Sequence, residues 1–138
     1  MESHYQLTDA TFEKQFANCD FPPALFNHEA HLRLAWIHIK KYGITAALDN
    51  IQTQLQRFVS HVGAADKYNT TLTIAAIKAV YHFIIQSKTS TFKDFITEHP
   101  RLLYNFNELM HAHYSIDIFA SENAKQHYLV PDLLPFDC

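Results

Sequence analysis

Residues 44–62 read ITAALDNIQTQLQRFVSHV, and the spacing of their apolar side chains decides the fold class. Ile44, Leu48, Ile51, Leu55, Phe58 and Val62 recur at steps of four, three, four, three and four, which is one side of an α-helix. Gln52, Gln54, Gln56 and Arg57 fall mostly away from that stripe. Gly43 and Gly63, the only two glycines, bracket the stretch. Each follows a run with helical apolar spacing. Each reads as a helix stop, because glycine takes a positive φ at little steric cost.

The same logic extends in both directions. Thr8 or Asp9 caps a first helix over Asp9–Ala17, with Phe12 and Phe16 as an i, i+4 apolar pair. Phe21-Pro22-Pro23 forces an extended turn. Asn27 is a good N-cap for a second helix reaching Tyr42, with Glu29 in its first turn and Lys40 and Lys41 in its last, as the helix dipole favours. After the helix over 45–62, Ala64–Asn69 is a polar loop. A fourth helix starts at Asn69 or Thr70 and runs to Ser87, with Ile74, Ile77, Tyr81, Ile84 and Ile85 on its apolar face. Thr91 caps a short helix over Phe92–Glu98, and Pro100 opens a further one over Arg101–His111. Ser115 and Ser121 are positioned to cap short terminal helices. Pro131 and Pro135 mark Leu129–Cys138 as an extended tail. No stretch alternates as a strand does. The expectation is an all-α fold, a compact helical bundle of about five to seven helices with an extended C-terminal tail, its second, third and fourth helices central.

The 138 residues suit one domain spanning 1–138. A hydrophobic fraction of 48 % and an aromatic fraction of 14 % supply a core, and the low net charge of −3 argues against disorder. No basic stripe is present, so a nucleic-acid partner is not expected, and the lack of a basic amphipathic face argues against a membrane partner. The polar start Met1-Glu2-Ser3-His4-Tyr5 does not read as a secretory signal. Cys19 and Cys138 form no Cys-x-x-Cys pair and are expected as reduced thiols in the cytoplasm, a disulfide between them being the alternative.

Ten histidines are two to three times an ordinary share. With His28 at 0° on a helical wheel, His31 falls at about 300° and His38 at about 280°, while Glu29, Arg33 and Lys40 cluster opposite. If the charged side faces water, His28, His31 and His38 turn inward, where each imidazole needs partners for both nitrogens. A polar pocket, a ligand or a divalent metal ion held by His28 and His31 would supply them. His38 lies about 10.5 Å further along the axis, too far to join one mononuclear site. Glu108-x-x-His111, His113 and Asp117 are further donors, with nothing in the sequence to bring them to His28. His4, His61, His99 and His127 read as surface residues. At the start of the fourth helix, Tyr68, Thr71 and Thr73 either cap backbone N–H groups or position a ligand at a helix N-terminus.

The segments His28-x-x-His31-Leu32-x-x-Ala35-Trp36, Tyr68-x-x-Thr71-x-Thr73, and Tyr114-Ser115 through Ser121 and Ala124 to Val130-Pro131-Asp132-Leu133 together resemble a group of small, helical bacterial proteins of unassigned function. The resemblance covers most of the chain and implies the fold and the location of a pocket, without a reaction. In that pattern a histidine usually follows the tyrosine; here Asn69 stands there, so if that histidine is a ligand with His28 and His31, this chain lacks one nitrogen donor. His28-Glu29-Ala30-His31 does not meet the His-x-x-x-His spacing of hemerythrin-like bundles.

Three functions compete. The first is a histidine-lined pocket that binds a small ligand or metal ion, with an enzymatic role left open. The second is a non-catalytic protein-interaction module with structurally satisfied histidines. The third is a pH-responsive helical module whose stability changes between about pH 5 and 7. Oligomeric state and reaction are not legible.

Overall fold

A computed structural model describes residues 3–137; Cys138, and with it the question of a disulfide to Cys19, lies outside the described residues. The described residues form helices and connecting segments, with no strand among them. No helix among them is long and apolar enough to cross a membrane. The chain divides into two compact units, residues 1–68 and 69–138.

The first unit holds α1 (Asp9–Ala17), α2 (His28–Tyr42) and α3 (Ile44–His61), with single 3-10 turns at His4–Gln6, Pro23–Leu25 and Ala65–Lys67. Local chemistry sets each boundary. The Thr8 hydroxyl accepts from the Thr11 N–H at 3.2 Å, and Asn27 Oδ1 accepts from the Ala30 N–H at 2.9 Å. Gly43, at φ 87°, ends α2 and begins α3 in a single residue: its N–H donates to the Ile39 carbonyl while its own carbonyl accepts from Ala47. Gly63, at φ 76°, ends α3 in a Schellman motif, with Gly63 N–H on the Ser60 carbonyl and Ala64 N–H on the Val59 carbonyl. Both glycines are therefore helix stops, as their positions imply.

The core of this unit is aromatic. Phe12 and Phe21 meet with ring centroids 4.7 Å apart, Phe16 lies 4.9 Å from both Phe26 and Phe58, and Phe26 lies 5.2 Å from Phe58. From the α3 stripe, Ile51, Leu55 and Phe58 are buried, Ile44 and Leu48 are half-buried, and Val62 is exposed. The middle of the stripe makes the core and its ends do not.

The second unit holds α4 (Thr70–Ile84), α5 (Phe92–Glu98), α6 (Arg101–Tyr104), α7 (Phe106–His113) and α8 (Glu122–Gln126), followed by an extended tail. Ala75, Ile77, Val80, Phe95, Leu102, Met110, Tyr114 and Ile118 are among its buried residues. Two local expectations are corrected. The helix anticipated over Arg101–His111 is interrupted at Asn105, whose backbone leaves the helical region at φ −128°, ψ 32°. Asparagine competes poorly as an interior helix residue, and the break leaves Leu102, Phe106, Leu109 and Met110 all buried. Ser115 caps no helix; its N–H and hydroxyl both donate to the Asp132 carboxylate. Ser121 does cap α8, accepting from the Ala124 N–H at 3.1 Å.

Candidate functional site

The start of α2 is where the first unit concentrates unusual chemistry. Asn27 is the N-cap, so His28 opens the helix and His31 occupies its fourth position. An apolar residue just before an N-cap often packs on the fourth helical residue, a contact that fixes how the chain enters the helix. Here those two positions are Phe26 and His31. Their rings stack, with centroids 3.9 Å apart and planes 24° apart. Phe26 also packs into the Phe16–Phe58 cluster, so the core orients the imidazole.

His31 is exposed to solvent along its surface. Burial among protein atoms nevertheless pushes its pKa down to about 4, and the nearby charge of His28 pushes in the same direction. The residue is open to solvent, while protein atoms crowd its ring. Such a ring is neutral at physiological pH, able to donate through one nitrogen and accept through the other. His28, one turn away, is also exposed.

The inward stripe of three histidines is thereby corrected. Only His38 is buried, at 1 % exposure. Arg33, placed on the charged side of the helical wheel, does not mark a water face. Leu32 through Ile39 are all buried, Arg33 included. Arg33 tolerates burial because its guanidinium donates to the Leu7 carbonyl and to Asp9 Oδ1, both at 2.8 Å, and to the His4 carbonyl at 2.7 Å. His4, expected on the surface, is completely buried beside it. His99, also expected on the surface, is half-buried against Phe83 and Phe95, whereas His61 and His127 are exposed as anticipated.

His38 has no hydrogen-bond partner on either ring nitrogen among the described residues. Burial lowers its pKa; Glu13 pulls the other way and Lys41 adds to the lowering. Nearby, the Lys41 ammonium donates to Glu13 Oε1 at 2.8 Å and the Tyr42 hydroxyl donates to Glu13 Oε2. Despite the burial that opposes it, these two bonds hold the Glu13 carboxyl below its ordinary range. His38 stands two turns beyond His31, as the sequence spacing requires.

Tyr68 closes the first unit, half-buried after the Ala65–Lys67 turn. Thr71 and Thr73 belong to the second unit, where their hydroxyls are engaged by the fold. Thr71 Oγ1 donates to the His127 carbonyl at 2.6 Å and accepts from the Leu129 N–H at 3.0 Å. Thr73 Oγ1 donates back to the Asn69 carbonyl at 2.7 Å. Asn69 caps α4 through the Leu72 N–H and donates to the Ile118 carbonyl at 2.8 Å. An asparagine at this position therefore serves the fold with both ends of its amide.

Among the described residues, no group of three or more His, Cys, Asp or Glu side chains is placed to hold a metal ion. Glu108, His111 and Asp117 are exposed. Sequence reading missed Phe26 and the Glu13–Lys41–Tyr42 cluster. The signal for Phe26 was present, since it directly precedes the Asn27 cap. The cluster joins residues more than 25 apart in the chain and leaves no local pattern. No protein-family model, curated protein or solved structure matches this chain.

Proposed function

We propose that this protein binds a small ligand at the start of α2, with His31 as the principal hydrogen-bonding group, Phe26 as the apolar backing and His28 as the neighbouring donor. The observation that carries the reading is the placement of His31, exposed and stacked on Phe26, with crowding by protein atoms lowering its pKa. A perturbed titratable group that solvent can reach is a recognised mark of a binding or reacting site. A neutral imidazole suits polar uncharged ligands and aromatic ones that can extend the Phe26 stack. It is also the protonation state that metal coordination needs, with His28 and His31 as the two protein ligands of a divalent ion. His38, Tyr68, Thr71 and Thr73 are not needed for this minimal site. The two cysteines and the resemblance to small bacterial helical proteins support a cytoplasmic setting; the charge pattern supports no nucleic-acid or membrane partner.

The test follows the imidazole signals of the two residues by NMR. Zinc chloride is added in one series and a library of neutral aromatic fragments in another. The reading predicts that at least one probe shifts both rings and that His31→Ala abolishes the response while preserving helical circular dichroism. Absence of any response at His28 and His31 across both series overturns it.

The exposed side chains of Tyr104, Val130, Leu133 and Leu134 favour a second reading, that of a non-catalytic interaction module. That reading predicts retention of a protein partner by the intact chain and no response of His31 to either probe series.

A further inference from the structure

The N-terminal 3-10 turn His4–Gln6 lies against α2 through a set of bonds that the ligand reading does not use. His4 is completely buried. Its Nδ1 faces Arg33 Nη1 at 3.2 Å, and its Nε2 faces Glu29 Oε1 at 2.8 Å. A guanidinium has donors only, so His4 Nδ1 is the acceptor of that bond. Nε2 must then carry the single ring proton and donate it to Glu29. The two contacts together define one neutral tautomer.

We propose that His4 is an acid-sensitive clasp: a second proton on its ring releases the segment 3–8 from α2. The only site for that proton is Nδ1. Once protonated, Nδ1 can no longer accept from Arg33, and two cationic groups face one another at hydrogen-bond distance. The surrounding charges divide in sign. Glu29 on α2 favours the charged ring, Arg33 on α2 opposes it, and Asp9 on α1 is already bonded to Arg33 through Nε and Nη2. On the same turn as His4, Tyr5 packs its ring 4.3 Å from the imidazole, and its hydroxyl pKa is raised first by burial and then by Glu29. Burial sides with Arg33, and together they outweigh Glu29.

Arg33 holds the His4 and Leu7 carbonyls, and the turn itself closes through Gln6 N–H to Ser3 and Leu7 N–H to His4. Arg33 Nη1 holds both the ring and the carbonyl of His4, so repulsion from a charged ring weakens its hold on that carbonyl. Release would uncover Glu29 and Arg33 on α2. His28 and His31 take no part, so the clasp stands or falls independently of the ligand site.

The experiment compares the His4 ring titration with amide hydrogen exchange at Gln6 and Leu7, expressed as protection relative to the unstructured chain at each pH. In the intact protein, protection at both amides should fall at least tenfold, at the pH where His4 takes its second proton, while α2 amides remain protected. In Glu29→Gln, which removes the group favouring the charged ring, both midpoints should move together to lower pH. In His4→Gln, protection at Leu7 should not vary with pH. Three results overturn the proposal: unchanged protection on both sides of the His4 midpoint, midpoints more than one pH unit apart, or a His4 ring that stays singly protonated until the whole unit unfolds. The wild-type comparison decides the matter even where a variant fails to fold.

Discussion

At the level of single residues, neighbours settled what each polar group does. Thr71 and His31 illustrate the two outcomes. Thr71 looked equally suited to a cap or to a ligand. In the fold its hydroxyl donates to His127 and accepts from Leu129, binding the start of the tail to α4. Thr71→Val keeps the shape and deletes both bonds, leaving the Leu129 N–H and the His127 carbonyl to find other partners. Equilibrium unfolding in urea should show a loss of about 1–3 kcal/mol. His31 has the opposite character, because its ring is stacked on Phe26 while its surface is open. Phe26→Leu removes the stacked face and lets water approach the imidazole. The His31 pKa, followed by NMR, should rise from about 4 toward its ordinary 6.5. Sequence reading singled out His28 and His31 but assigned their direction wrongly. It treated Arg33 as a solvent marker, and nothing local in the sequence announces that Asp9 and two backbone carbonyls would receive that side chain.

Among the elements, boundaries were the most legible feature. Thr8, Asn27, Thr91 and Ser121 cap the helices they were expected to cap, and both glycines end helices. These are contests settled within four or five residues, so the sequence contains nearly all the relevant physics. Asn105 and Ser115 show where that limit lies. The break at Asn105 comes with four neighbouring core positions, and Ser115 is drawn to Asp132, seventeen residues away. The cap at Asn27 deserves a quantitative check because it also positions the His28–His31 pair. Asn27→Ala removes the acceptor for the Ala30 N–H, so thermal or urea unfolding should register a loss of about 1 kcal/mol. The first turn of α2 should fray, and exchange at the Ala30 amide should accelerate more than exchange at Ile37.

For the molecule as a whole, the helical class was legible from periodicity, while the arrangement of charge and burial was not. Three imidazoles of the first unit, His4, His31 and His38, have pKa values lowered first by burial. The unfolded chain takes up protons on these rings more readily than the folded one. Their contribution to stability is therefore fully present above about pH 6.5 and is lost as pH falls from there toward the folded-state values, about 4 for His31. Below about pH 4.5 the Glu13 carboxyl, held low by Lys41 and Tyr42, adds a further loss. The single tryptophan, Trp36, lies in the first unit and reports its unfolding. Its fluorescence should show a melting temperature that declines steadily between pH 7 and pH 4, and a flat profile would remove the three rings from the account.

The central claim is that His31 is a neutral imidazole that solvent can reach. Its most direct test is a pH titration of the His31 ring nitrogens in the ligand-free protein, followed by long-range proton–nitrogen NMR. The account predicts a neutral ring from pH 7 down to pH 5, with a midpoint near 4. A midpoint at or above 6.5, the value of an unencumbered histidine, would contradict it.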